Sequence, residues 1–384
     1  VTDKLPLAGI RVVELGTSVA APYGTWILAT MGAEVIKVER PGTGDDCRQW
    51  GPPSVSDDFR SFFLVLNALK KSVVVDFTND DEVARLRKYI VENADIVVQN
   101  LRAGLVEKFG LSADDLMAEN PRLIYCHSAA FGTEGPYKDR PGYDPLMQAC
   151  GGVMSVNGEE GRPPARVGTS IIDMGTGMWN TIGVLTALHQ RNATGKGCRV
   201  DASLYETALG WMHYHAAGYF GTGVPAKRVG SRAPGIAPYQ AFECSDGYLV
   251  IAGANDRLFR KMAEALGHPE WCDDPRFVSN PSRWENIDAL CEMMDAVLSK
   301  HPRAHWQDKL DAAGVPNAPT QSIDEAVAHP QTLALGMLQE TDDHIFKLLG
   351  LPLRFDGHRP PQPVGPPTLG QHTKEILGDQ PFRS

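Results

Sequence analysis

Asp173 is the residue whose surroundings most invite chemistry. The segment Ser170-Ile171-Ile172-Asp173-Met174-Gly175-Thr176-Gly177 precedes a helical stretch, Met178–Gln190, which puts the carboxylate at or near a helix N-terminus. Two readings fit that position. An acidic side chain there is an ordinary N-cap, accepting hydrogen bonds from the unpaired amides of the first turn. Equally, the helix dipole favours the carboxylate form, and an ionised carboxylate open to a Gly-rich loop can act as a nucleophile. Local physics leaves both open. His213-Tyr214-His215 brings two histidines close, but at i, i+2 they leave different faces of a helix. No adjacent Cys or carboxylate cluster completes a site of three or four ligands. A structural or aromatic-pocket role is expected there, and no metal.

Other signatures of chemistry are missing. There is no G-x-x-x-x-G-K-[ST] loop, and Gly195-Lys196-Gly197 reads as a turn between a helix and a strand. Gly16 follows the first strand, but Thr17-Ser18-Val19 does not complete G-x-G-x-x-G. No G-x-S-x-G elbow occurs, which argues against an α/β-hydrolase.

The elements that must position Asp173 alternate through the first half of the chain. Ile10–Leu15, Glu34–Val38, Val73–Asp76, Ile96–Gln99 and Leu123–His127 read as strands. Ala20–Met31, Asp80–Glu92 and Ser112–Glu119 read as helices between them. Such alternation means βαβ units and a parallel sheet, whose ligands gather at the carboxyl ends of the strands. From about Pro225 the texture changes. Tyr239–Glu243 and Tyr248–Ala252 flank Asp246-Gly247, a hairpin signal, and helices follow near 256–266, 284–299 and 303–313. The fold class expected is α/β: a Rossmann-like parallel-sheet large domain at 1–195, completed by a tail at 350–384, plus a smaller α+β domain at 225–330. Linkers are expected at 196–224 and 331–349.

The bulk numbers narrow the setting. The chain has 384 residues, 42% hydrophobic and 22% charged, the balance of a globular protein. No apolar run approaches the roughly 20 residues that span a bilayer, and Val1–Gly16 does not resemble a signal peptide. Seven scattered cysteines without a C-x-x-C pair fit a reducing cytoplasm. A net charge of −10 with no basic tract makes nucleic acid an unfit partner. An acidic protein that binds an anion needs a local basic pocket.

Several segments together resemble the class III coenzyme A transferases, which include formyl-CoA transferase and carnitine CoA-transferase. Leu7-Ala8-Gly9-Ile10-Arg11-Val12-Val13-Glu14-Leu15 is similar to that family's first strand, and Gly32-Ala33-Glu34-Val35-Ile36-Lys37-Val38-Glu39-Arg40-Pro41 to its second. Asn120-Pro121-Arg122, Gly135-Pro136-Tyr137, Arg140-Pro141-Gly142-Tyr143-Asp144, Thr194-Gly195-Lys196-Gly197, Asp246-Gly247-Tyr248 and Gly370-Gln371-His372-Thr373 follow in the family's order. Each piece is short; the ordered set is specific and covers essentially the whole chain.

The resemblance implies that Asp173 is the nucleophile. It would attack an acyl-CoA, form a mixed anhydride and then an aspartyl-CoA thioester, and pass CoA to a small carboxylic acid. CoA would be a substrate rather than a tightly bound cofactor. Val19, Ala20, Arg40, Lys70, Lys71 and Lys108 match CoA-contacting positions, while Trp50, Tyr143 and Gly235 match the substrate pocket. An interlocked homodimer is implied as well.

Departures from the pattern bear on the acid. The family's Gly run over the nucleophile is Ala233-Pro234-Gly235-Ile236-Ala237-Pro238 here, and a pocket lysine of formyl-CoA transferase corresponds to Pro141; both point away from formate and oxalate. A dicarboxylate acceptor would need a cation near Asp173, for which Lys138 and Arg140 are candidates. Trp211, His213, Tyr214 and His215 could tune the pocket. Two rival functions remain. The α-methylacyl-CoA racemases share the Asp but use a His and a Glu, which here align with Tyr143 and Asp256. A tyrosine with a pKa of about 10 is a poor base for that exchange. The other rival is a non-catalytic CoA-binding protein on the same scaffold.

Overall fold

The computed structural model describes residues 5–50, 54–55 and 59–378; the outermost residues of the expected large domain, 1–4 and 379–384, lie outside these. The chain divides into two compact units. One comprises Val1–Val153, Arg166–Gly223 and Pro330–Ser384, the other Met154–Ala165 and Val224–His329.

The first unit is built on six parallel strands: β1 (Arg11–Glu14), β2 (Glu34–Glu39), β3 (Lys71–Val74), β4 (Ile96–Gln99), β5 (Ile124–Ala129) and β6 (Arg199–Ser203), in the order β3-β2-β1-β4-β5-β6. Consecutive side chains of a strand point to opposite faces, and both faces are covered. Val12, Val35, Ile96 and Ile124 pack under helices α1 (Ala20–Thr30) and α8 (Ile171–Thr194), together with α2 (Ser61–Asn67). Their neighbours Val13, Ile36, Val97 and Tyr125 pack under α3 (Asp80–Asn93), α4 (Leu105–Lys108) and α5 (Ala113–Glu119). This is why the strands read as near-continuous apolar runs. The strand order reverses between β1 and β4, the switch point at which open parallel sheets bind ligands. Asn100, just past β4, clasps the loop after β1 there: its side chain accepts from Thr17 N at 2.9 Å and donates to Thr17 O at 2.8 Å.

Helices α6 (Asp144–Cys150) and α7 (Val153–Val156) follow β5, and α9 (Leu204–Trp211) and α10 (His213–Thr222) follow β6. The stretch 196–224, expected to be a linker, therefore holds the sixth strand and two helices. Its alternation Arg199-Val200-Asp201-Ala202-Ser203 is an edge strand paired to β5 on one side only, so it lacks the apolar run of an inner strand. The predicted Val73–Asp76 strand is realised two residues earlier, as β3.

The second unit pairs β7 (Tyr239–Cys244) with β8 (Gly247–Ala252) as a hairpin whose loop is Ser245-Asp246, one residue before the expected Asp246-Gly247, with β9 (Asn317–Pro319) antiparallel at its edge. Helices α11 (Asp256–Leu266), α12 (Asn280–Glu285), α13 (Ile287–Leu298) and α14 (Arg303–Ala313) complete it, with α15 (Ile323–Ala328) after them. Its core is its own, from Phe242 and Leu249 through Phe259 and Met294 to Leu310. Arg283 is fully buried here; it donates to Ala237 O at 2.8 Å and Phe277 O at 2.9 Å and pairs with Asp256 at 2.7 Å.

The chain then returns to the first unit through α16 (Pro330–Ala334), an antiparallel pair β10 (Leu338–Glu340) and β11 (Lys347–Leu349), and α17 (Thr373–Leu377). Thus the expected return linker at 331–349 is itself structured. Phe346, Leu348 and Leu351 enter the core beneath α1. Beyond them the strap is tied by Trp26 Nε1 to Gln362 Oε1 (3.0 Å), Leu69 N to Val364 O (3.3 Å), Gly370 N to Ser72 Oγ (2.9 Å) and Val74 N to Thr373 Oγ1 (2.9 Å). No helix among the described residues is long and apolar enough to cross a membrane.

Candidate active site

Asp173 lies inside α8, not in a loop before it. The helix begins at Ile171, so Asp173 is its third residue. The glycines that read as a loop are there for close approach. A Cβ on Gly177 would meet Ala20 O at 2.7 Å and Gly24 N at 2.9 Å, and one on Gly24 would meet Gly177 O at 2.8 Å. Only glycine at both positions lets α1 and α8 cross this tightly. Similarly, a Cβ on Gly175 would strike the Trp211 indole at 2.9 Å. The same crossing lays Ala20, at the start of α1, against the first turn of α8.

The N-cap reading of Asp173 fails for a specific reason. The amides a cap would serve are taken by another carboxylate: Asp144, the first residue of α6, accepts from Ile172 N at 2.7 Å and Asp173 N at 3.2 Å through Oδ2. Ser170, in the local cap position, makes no side-chain cap bond. Gln148 holds the other Asp144 oxygen at 2.6 Å and receives Val167 N at 2.8 Å. The Asp173 carboxylate itself has no hydrogen-bond partner among the described residues. Burial and, after it, the neighbouring Asp144 push its pKa up to about 7. The helix N-terminus was expected to favour the charged form; here desolvation and a like charge win, because the terminus is already spent on Asp144. Sequence reading quoted Asp144 only as part of a motif. No local signal marks a carboxylate that caps a helix 29 residues downstream.

Ala20 packs against the first turn of α8 and Tyr143 precedes Asp144, while Arg40 and Trp50 have partners of their own. Val19, the cap residue of α1, and Ala20 are buried at 4% and 5% exposure, so any ligand contact from them is through the backbone. Ala20, Met147 and Ile172 share one apolar cluster beside Asp173. Tyr143, adjacent to Asp144, is exposed. Arg40 follows β2 at the carboxyl ends of the strands, is more than half exposed, and is bonded to Thr43 and Asp46. Trp50 stands edge-on to Phe62, its ring 5.8 Å away.

Other predicted residues do not join them. Lys70 is 3% exposed, and its ammonium is consumed by Glu14 (2.7 Å), Pro22 O (2.9 Å) and Asn67 Oδ1 (3.0 Å). It has no donor to offer a phosphate, so its expected place among the CoA-binding cations is corrected. Burial pushes it down to about 8 against the pull of Glu14. Glu14 also takes Lys37 at 2.6 Å; Lys37 in turn reaches Asp45 at 2.7 Å and Gly16 O at 3.0 Å. Asp45 then fixes Ser18 N at 3.1 Å, in a left-handed turn of φ 68°. This buried network shapes the loop before α1 from below, and sequence reading missed it because a strand Lys and Glu look like surface charges.

Lys71, at the amino end of β3, pairs with Glu34 (3.0 Å) and Glu375 (2.7 Å), at the opposite end of the strands from Arg40. Lys108 ends α4, exposed, over the Phe109 ring at 5.3 Å. Arg140 stacks on Tyr137 at 4.3 Å, and Lys138 borders a separate cavity of about 260 Å³ with Tyr125, His127 and Arg199; neither touches Asp173. Gly235 lies in the second unit with φ 77°, its carbonyl accepting from Asn280 at 2.9 Å. His213, Tyr214 and His215 sit on α10, which buries no residue. No group of three or more His, Cys, Asp or Glu among the described residues could hold a metal ion.

Comparison with known proteins places these residues among relatives. The profile of CoA-transferase family III matches residues 7–373. An acetyl-CoA:oxalate CoA-transferase of Acetobacter aceti is 36% identical over 96% of this chain and 94% of that protein. A succinyl-CoA:glutarate CoA-transferase of Mus musculus is 34% identical over 97% of this chain and 86% of that protein. Among solved structures, a CaiB/BaiF family protein from Brucella suis superposes with a TM-score of 0.90 at 36% identity, covering 97% of this chain and 99% of its own.

Proposed function

The chain belongs to CoA-transferase family III, and from that membership we propose that it moves CoA from an acyl-CoA to a carboxylic acid through covalent intermediates on Asp173. The observation that carries this is the carboxylate in the first turn of α8, relieved of capping by Asp144 and without a hydrogen-bond partner of its own. A partnerless, half-buried carboxylate held near neutrality is a better nucleophile than a capped one.

The chemistry balances without an external acid or oxidant. An Asp173 oxygen attacks the thioester carbonyl carbon; the C–S bond breaks and CoA leaves as thiolate, giving a mixed anhydride. The thiolate attacks the aspartyl carbonyl, expels the donor carboxylate and leaves an aspartyl-CoA thioester. The acceptor carboxylate repeats the first step on that thioester, and the thiolate then closes the cycle. Main-chain amides of Val19 and Ala20, at an α1 N-terminus that has no side-chain cap, suit the anionic parts of CoA, and Arg40 adds a charge at the same end of the sheet. Two of the named relatives act on oxalate and glutarate, so we take dicarboxylates as the acceptor class to test. Oxalate, which the sequence departures disfavoured, belongs in that panel.

A homodimer and a reducing compartment complete the proposal. α10 buries nothing, and its Tyr214 (71%) and Phe220 (82%) are exposed, as are Trp179 and Ile182 of α8, apolar groups that a second copy would cover. The seven thiols are all free. The deciding experiment is mass spectrometry of acyl-CoA products in D2O, with succinyl-, acetyl- and 2-methylacyl-CoA donors and a panel of mono- and dicarboxylic acids. A new acyl-CoA that requires both acceptor and Asp173 is expected. Gain of one deuteron at the α-carbon without exchange of acid would mean a racemase instead, and CoA binding without turnover would mean a non-catalytic protein. The racemase also lacks a free second base in Asp256, which Arg283 holds at 2.7 Å.

A further inference from the structure

We propose that Asp144 is a positioning residue for the transfer: it occupies the N-terminus of α8 so that Asp173 cannot be stabilised there, and it drives the acylation of Asp173 by like-charge repulsion. This rests on the reading of Asp173 as the nucleophile.

Asp144 is itself 2% exposed and fixed from three sides. Its own helix supplies Gln148, the segment before α8 holds Gln148 through Val167, and α8 supplies the two amides. N–H donors thus satisfy both of its oxygens. The positive end of the helix is thereby committed to a group that does not react, and Asp173 stands beside it. Of the titratable groups on the elements against this turn, Asp144 on α6, Tyr205 and Glu206 on α9 and Tyr23 on α1, only Asp144 acts on Asp173. Glu206 is turned to Ser203 at 2.6 Å.

The consequence follows from charge bookkeeping over one step. When an Asp173 oxygen bonds to the thioester carbon and the C–S bond breaks, the negative charge leaves Asp173 and resides on the CoA sulfur. Repulsion from Asp144 is present before the step and absent after it. Neutralising Asp144 would remove that bias and let the free enzyme rest in a more stable, less reactive ionised state.

The test uses the full-length protein with ¹³C-labelled aspartate carboxyls, assigning Asp173 by its loss in Asp173→Asn. Asp144→Asn keeps an acceptor for the two amides but loses the charge. It is expected to lower the Asp173 titration midpoint by about one pH unit. Its kcat should fall by about tenfold, with the acyl-CoA KM within about twofold. Asp144→Glu should restore most of the midpoint. A merely structural role would reduce kcat while leaving the midpoint where it is, and that outcome overturns the proposal. Should the Asn variant not fold, Asp144→Ser, which keeps a hydroxyl acceptor without the charge, must lower the Asp173 midpoint by a similar amount, and an unmoved midpoint is equally fatal. These titrations do not depend on turnover, whereas an Asp173→Ala enzyme that still transfers CoA would defeat the nucleophile reading alone.

Discussion

A carboxylate attacks a thioester only when ionised, so under the proposed role of Asp173 the burial and the neighbouring Asp144 that push it up to about 7 set an acid limb on the reaction. Turnover is expected to fall below pH 7, approaching tenfold per unit once well below it, in a kcat/KM profile; Asp173→Ala should lose about 10³-fold or more. The same shift has a stability counterpart of defined sign. The fold holds the Asp173 proton more tightly than the unfolded chain does, so the penalty for charging it is present above about pH 7 and fades as pH falls toward the ordinary aspartate range. Asp173→Asn should therefore raise the melting temperature at pH 8 and do little at pH 4. Asp173 stood out in the sequence through its motif context, and the structure puts it in the first turn of α8 beside Asp144. What could not be read was the partner that frees it: Asp144 and Asp173 meet because α6 and α8 pack together, and nothing in the chain between them records that.

At the scale of elements, the crossing of α1 over α8 lays the first turn of α8, which carries Asp173, against the start of α1. Gly177→Ala would drive a Cβ to 2.7 Å from Ala20 O and 2.9 Å from Gly24 N, backbone atoms that cannot rotate away. It should destabilise by about 1–3 kcal/mol, measured by urea unfolding, and depress kcat as the first turn of α8 is displaced. Beneath the loop before α1, Glu14→Ala would strand the fully buried ammonium of Lys70 and leave Lys37 with Asp45 as its one carboxylate partner. Its expected cost is about 3–5 kcal/mol, the usual penalty for an uncompensated buried charge. Lys70→Met should cost less in the same assay, since Glu14 keeps Lys37. The strand–helix alternation and the hairpin at Asp246 were legible because periodicity and turn chemistry are local. The start of α8 was not, since Gly175 and Gly177 look like loop residues until a neighbouring helix and an indole require their missing side chains. Edge strand β6 escaped for the opposite reason: paired to β5 on one side only, it carries too few apolar residues to announce itself.

For the whole molecule, the strap after β11 closes the edge of the sheet at β3. His372 Nδ1 accepts from Ser72 N at 3.2 Å while His372 N donates to Ser72 O at 2.9 Å, and burial holds that imidazole below its ordinary value. A histidine kept neutral by the fold contributes stability above the unfolded value of about 6.5 and loses it as pH falls through that range. The protection of the Ser72 amide, corrected for its intrinsic exchange rate at each pH, is therefore expected to drop below about pH 6, and by less in His372→Gln, as hydrogen–deuterium exchange would register. The strap also dictates an order of events during synthesis. The second unit, apart from Met154–Ala165, runs from Val224 to His329 and carries its entire core within that span, so it can condense as soon as it leaves the ribosome. The larger unit cannot, because Phe346, Leu348 and Leu351, and the ties that reach Trp26 and Ser72, are translated after the whole second unit. For the time it takes to make more than a hundred residues, its six strands wait with apolar faces incompletely covered, the state in which a nascent chain is most open to aggregation.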